Sequence, residues 1–200
     1  MSTRIAVLVP GGGTNLQALI DAQGRGELGG GQICAVVASK PGVYDLERAA
    51  QASIPSYVVA RKDYPSSQAF TIALVDQLRA LDIDLVVLAG FLVILTGEMV
   101  RAFPNAILNV HPALIPSFSG EGCYGLHVHE KALEYGVKVT GATVHFVSEE
   151  CDGGPIVLQR AVDILEGDTP EVLQRRVMEQ AEWIILPQAV ALFCQARLRV

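Results

Sequence analysis

Ile5-Ala6-Val7-Leu8-Val9-Pro10-Gly11-Gly12-Gly13-Thr14-Asn15-Leu16 decides the fold. A short, unbroken apolar run reads as a strand buried on both faces. Proline and glycine end it. Leu16, Leu19 and Ile20 then recur at helical spacing, and Thr14 or Asn15 reads as the side-chain cap of that helix. The unit is strand, glycine loop, helix. Such a loop presents backbone N–H groups at the positive end of a helix dipole, which makes a seat for a phosphate. It has neither the lysine of a Walker loop nor GxGxxG spacing, so a plain tight turn is the competing reading.

Outward from this unit the pattern repeats. Apolar runs at 33–38, 56–60, 85–88 and 106–110 read as strands. Helical spacing recurs near 45–52 and over 66–81. Apolar strands alternating with helices predict an α/β chain with a parallel, doubly wound open sheet and helices on both faces. Beyond residue 125 the rhythm changes. Residues 126–135 read as a helix closed by Gly136, and 137–147 as a long strand whose alternation predicts one wetter face. Residues 156–162 read as a further strand. A helix over 169–180 follows, with Asp168 or Thr169 as cap and Pro170 in the first turn. Pro187 is expected to break or kink the chain before a last short helix to Ala196. With no repeat and no linker, residues 1–200 are expected to form a single domain.

Ligands of such sheets bind beyond the carboxyl ends of the strands. Those ends carry Pro10 to Gly13, then Ala89-Gly90-Phe91, then His111-Pro112. The last follows Leu108-Asn109-Val110-His111-Pro112-Ala113-Leu114-Ile115-Pro116. The proline keeps His111 extended, and Asn109, two residues earlier, shares its face of the strand. An amide donor beside an imidazole at a strand end is a candidate reacting pair, against the plainer reading of a core Asn and a stray His. Asp152, before Gly153-Gly154-Pro155, sits on a loop able to bend sharply and turn a carboxylate inward, or is an ordinary Asp-Gly turn. His127 and His129 with Cys123 raise zinc, but their spacing fits no familiar zinc site. His145, alternating within a strand, reads as a structural or supporting residue.

The bulk numbers exclude several classes. Two hundred residues, half of them apolar and 18% charged, suffice for a buried core. A net charge of −6 without a Lys/Arg run argues against a nucleic-acid platform. No apolar stretch reaches bilayer length, the start does not read as a secretory signal, and Cys34, Cys123, Cys151 and Cys194 lack CxxC spacing. A cytoplasmic protein with reduced thiols is expected.

Five segments in this order carry a resemblance over nearly the whole chain: 12–21, 86–95, 108–116, 141–147 and 152–159. They resemble the phosphoribosylglycinamide formyltransferases of purine biosynthesis, a branch of the folate-dependent formyltransferase family. The resemblance implies a Rossmann-like, mostly parallel formyltransferase fold. It implies formyl transfer from 10-formyltetrahydrofolate to the amine of glycinamide ribonucleotide, with no metal. Residues 1–100 would be the nucleotide and phosphate half, and 101–200 the catalytic and folate half. By likeness Asn109, His111 and Asp152 match the catalytic trio, a protonated His111 and Asn109 donating to the oxyanion. Gly12, Gly13, Thr14, Asn15 and Glu182 match substrate contacts. Phe91, Leu92, Val93, Ile94, Leu95, Val147 and Glu150 match the folate pocket. Small-molecule substrates, no nucleic acid, no membrane, and a monomer or homodimer are the implied partners.

Four positions depart from the resemblance. Pro10 stands where a Ser is usual, Val93 where a polar or basic residue is common, Glu121 where a lysine is frequent, and Trp183 where a His is usual. The interval from Arg176-Val177 to Glu182 is also one residue longer than is usual. Formylfolate hydrolysis and formyl transfer to another amine, such as an amino sugar nucleotide, are the alternatives. The hydrolases usually carry an added N-terminal domain and the methionyl-tRNA formyltransferases an added C-terminal one. A non-catalytic ligand-binding or assembly domain would leave Asn109, His111 and Asp152 without a purpose.

Overall fold

In the computed structural model, which describes residues 2–91, 93, 95–196 and 198, β1 (Thr3–Val9) runs through the middle of a seven-stranded sheet. The strand order is β3-β2-β1-β4-β5-β6-β7, with β2 Gly31–Ala38, β3 Ser56–Val58, β4 Leu85–Leu88, β5 Ile107–His111, β6 Val139–Phe146 and β7 Ile156–Asp163. β1 to β5 are parallel, while β6 and β7 pair antiparallel beyond β5. These last two strands make the sheet mostly rather than wholly parallel.

The two-residue period of β1 divides the core. Ile5, Val7 and Val9 face one apolar layer with Leu16 and Leu19 of α1 (Thr14–Gly24) and Leu186 and Val190 of α7 (Trp183–Cys194). Ala6 and Leu8 face the other layer, built on Phe70, Leu74 and Leu78 of α3 (Ser67–Ala80) and Met99 of α4 (Gly97–Ala102). Helices therefore cover both faces. The remaining helices are α2 (Tyr44–Gln51), α5 (His127–Tyr135) and α6 (Pro170–Val177).

Four local expectations are corrected. α1 is capped by Gly13, at φ 68°, with no side-chain cap from Thr14 or Asn15. Glycine takes this left-handed geometry at little cost. α4 was not expected. β6 has no wetter face, since Thr140 to Phe146 are all buried. The chain after His111 folds back over it: the buried Thr143 hydroxyl donates to Ala113 O at 2.7 Å and accepts Ile115 N–H at 3.1 Å. Finally, Pro187 lies within a continuing helix. The irregularity lies upstream, where Met178–Glu182 forms a π-turn. A π-turn holds one more residue than an α-turn, and this is the interval that reads one residue longer than is usual.

Candidate active site

β5 delivers Asn109 and His111 to the carboxyl edge of the sheet. β6 lies antiparallel beside it, with His145 directly opposite Asn109. Asn109 Nδ2 and His145 Nε2 are 3.2 Å apart, and His145 Nδ1 is 2.9 Å from Phe146 O. A carbonyl only accepts, so Nδ1 carries a proton, and Nε2 lies between the Asn109 amide and Asp152. This imidazole partner offsets the cost of an amide in an apolar strand.

Asp152 enters from the loop between β6 and β7, at φ 54°. Its Oδ2 stands 3.6 Å from His111 Nδ1 and its Oδ1 3.6 Å from His145 Nε2. Gly120 N–H donates to Oδ2 at 2.9 Å. Burial alone would raise this carboxyl, but His145, Gly120 and His111 outweigh it, and its pKa falls below the ordinary carboxylate value. Asp152 is therefore ionised throughout the neutral range.

His111 is buried, and its Nε2–H donates to Phe118 O at 2.8 Å. Burial lowers its pKa more than Asp152 and the Phe118 carbonyl raise it. Burial thus works against the expected imidazolium, while the ionised Asp152 beside Nδ1 favours it. The Nε2–H is still aimed at a carbonyl oxygen.

The glycine loop lies at the end of β1. A side chain built on Gly12 would meet nothing within 4 Å, whereas one on Gly13 would clash with Oδ1 of Asp45. The loop is open above and filled below by Asp45, a fully buried carboxyl raised by burial against the pull of Gly11 and Arg48. Thr14 is half-buried in the first turn of α1. Asn15 is buried and donates its amide to Glu182 Oε2 at 2.7 Å. Burial lifts Glu182 to about 6 despite that bond. The π-turn thus carries Glu182 onto the helix that begins at the glycine loop.

Phe91, Val93, Leu95 and Val147 are half-buried and pack on the α3/α4 layer, forming an apolar patch. Leu92 and Ile94 lie outside the described residues. Glu150 is exposed, and its carbonyl accepts Gly153 N–H at 3.2 Å. Trp183 turns to a surface groove with Leu158, Ile184 and Pro187. His127 and His129 diverge: His127 pairs with Glu130 at 2.7 Å in solvent, while His129 is fully buried. Among the described residues no three His, Cys, Asp or Glu side chains are placed to hold a metal. No helix among them is long and apolar enough to cross a membrane.

Sequence reasoning read His145 as structural or supporting without its partner, and missed the Phe118 carbonyl, the Gly120 amide and Asp45. His145 alone left a trace, an imidazole one strand from Asn109, legible only once the β5–β6 register is known.

An open glycine loop beside an amide, two imidazoles and an ionised carboxylate defines an α/β group-transfer site able to stabilise a carbonyl oxyanion and move a proton. The chain belongs to the formyl transferase family, whose model matches residues 3–190. It is 42% identical to phosphoribosylglycinamide formyltransferase of Haemophilus influenzae, over 98% of this chain and 90% of that protein. It is 43% identical to the trifunctional purine biosynthetic protein adenosine-3 of Drosophila pseudoobscura pseudoobscura over 98% of this chain, yet spans only 14% of that longer protein. The crystal structure of glycinamide ribonucleotide transformylase 1 from Symbiobacterium toebii superposes with a TM-score of 0.93 at 45% identity, covering 100% of this chain and 91% of that one.

Proposed function

We propose that this chain transfers the formyl group of 10-formyltetrahydrofolate to the amine of glycinamide ribonucleotide, the phosphoribosylglycinamide formyltransferase step of purine biosynthesis. The observation that carries the reading is that His111 and His145 both face Asp152 at the sheet edge, with His145 also holding the Asn109 amide. The near full-length likeness to the Haemophilus influenzae enzyme supports it.

The neutral amine attacks the formyl carbon, and the carbonyl oxygen becomes an oxyanion. Asn109 Nδ2–H and His111 Nε2–H stabilise it, the formyl oxygen taking the place now held by the Phe118 carbonyl. Ionised Asp152 accepts the proton released by the attacking nitrogen and returns it to the departing one. His145 positions the Asn109 amide. Gly12, Gly13 and Thr14 hold the phosphate through backbone N–H groups. Asn15 orients Glu182 toward the substrate amine. Phe91, Val93 and Leu95, with Val147 and Glu150, border the folate.

In this reading the first hundred residues bind the phosphorylated substrate, and the second hundred supply the reacting groups and complete the folate side. Both substrates are small molecules, neither nucleic acid nor membrane takes part, and the protein acts in the cytoplasm as a monomer or homodimer.

The test is a formyl-transfer assay of the purified chain with 10-formyltetrahydrofolate, comparing glycinamide ribonucleotide, an amino sugar nucleotide and water as acceptors. Formylated glycinamide ribonucleotide as the dominant product is expected. Formate release at the same rate without an amine, or formylation of the sugar alone, would overturn the reading.

A further inference from the structure

Two cysteines flank Asp152 and take no part in the chemistry above. Cys151 is exposed and directly precedes Asp152. Cys123 is half-buried and closes a turn, its N–H donating to Gly120 O at 3.1 Å. Gly120 in turn donates to Asp152 Oδ2 at 2.9 Å, so one short chain of bonds joins the two cysteine-bearing loops. Lys131 of α5 anchors the Cys123 turn, with Nζ 3.0 Å from Gly122 O and 3.2 Å from Cys123 Sγ. The Cys151 thiol is raised by burial first and then by Asp152, Cys123 and Glu121. Cys34, on β2, and Cys194, at the end of α7 against Gly31, belong to other parts of the fold.

We propose that Cys123 and Cys151 are a modification site, a thiol pair that peroxide converts to a disulfide beside Asp152. Cys123 Sγ, hydrogen-bonded by Lys131 Nζ, gives up its proton and attacks a peroxide oxygen. The O–O bond breaks, sulfur is oxidised to the sulfenic acid, and the other oxygen leaves as water once protonated. The Cys151 sulfur then attacks the sulfenic sulfur, gives up its proton, and expels the second oxygen as water. Two thiols and one peroxide become one disulfide and two waters. An S–S bond of about 2.05 Å draws the 120–123 turn onto the Asp152 loop and displaces the carboxylate from His111 and His145. Displacements of this size near reacting groups cost roughly tenfold or more in rate.

The test treats the purified protein with hydrogen peroxide, blocks free thiols with an alkylating agent and maps the peptides by mass. A linked Cys123–Cys151 peptide is expected, with Cys34 and Cys194 alkylated. Turnover should fall about tenfold and return with dithiothreitol. Cys123→Ser and Cys151→Ser should keep the parent's rate before and after peroxide. Separately over-oxidised cysteines, or equal loss of turnover in both serine variants, would overturn the proposal. The change in turnover rests on the formyl-transfer reading and the cross-link does not. An untreated parent inactive on glycinamide ribonucleotide would fail that reading alone, with the peptide map still deciding the cross-link.

Discussion

The Asn15 amide donates to Glu182 across 2.7 Å, joining the first turn of α1 to the π-turn before α7. Burial raises Glu182 to about 6 against this bond, so the side chain is neutral below that pH and charged above it. If Glu182 meets the substrate amine, KM for glycinamide ribonucleotide should fall as pH rises through about 6. Glu182→Gln keeps an acceptor for Asn15 and should flatten that step. Stability moves the other way. A carboxyl raised from 4.5 to about 6 contributes fully below 4.5 and loses that contribution as pH rises through 6. Glu182→Gln should therefore gain on the order of 2 kcal/mol relative to the parent at pH 8, read from denaturant unfolding. A pH-independent difference between the two proteins would refute the linkage.

His129 predicts acid sensitivity. It is fully buried with neither ring nitrogen hydrogen-bonded, and burial followed by the nearby His111 lowers it to about 4. Its share of stability is intact above 6.5 and is lost as pH falls toward 4. His129→Leu replaces two unpaired polar atoms with an apolar side chain and should cancel an acid loss on the order of 3 kcal/mol between pH 7.5 and 4. Urea melts at both pH values check this.

The glycine loop separates stability from binding. Gly13 has φ 68° and no room above Asp45, so Gly13→Ala should cost roughly 1–3 kcal/mol or more and lower Tm. Gly12 faces open space. Gly12→Ala should leave Tm near the parent's and raise KM for the phosphorylated substrate, with kcat nearly unchanged. Equal damage to an unphosphorylated amine acceptor would contradict the phosphate seat.

Much of the frame was legible because burial leaves a mark in sequence. β4 spans the same Leu85–Leu88 that its apolar run predicts, and Gly136 closes α5 as expected. His111 ends β5 as the following proline requires. What escaped depended on pairing. The alternation of β6 could not reveal that residues after His111 return to cover it through Thr143. The place of His145 opposite Asn109 is a fact of register between strands far apart in the chain. The downward pull on the His111 pKa comes from burial outweighing Asp152, a balance of two environmental effects that residue identity does not contain. Pro187 predicted a broken helix, whereas the extra residue before Glu182 is absorbed in the preceding π-turn.

Asp152 stands 3.6 Å from both His111 and His145 and is, among the described residues, the carboxylate that pairs with them. The direct measurement is kcat for formyl transfer to glycinamide ribonucleotide by Asp152→Asn, with circular dichroism and Tm matched to the parent. The account predicts an intact fold and a fall of about 10²–10³ in kcat with little change in KM for either substrate. A correctly folded Asp152→Asn protein that transfers formyl at near the parental rate would contradict it.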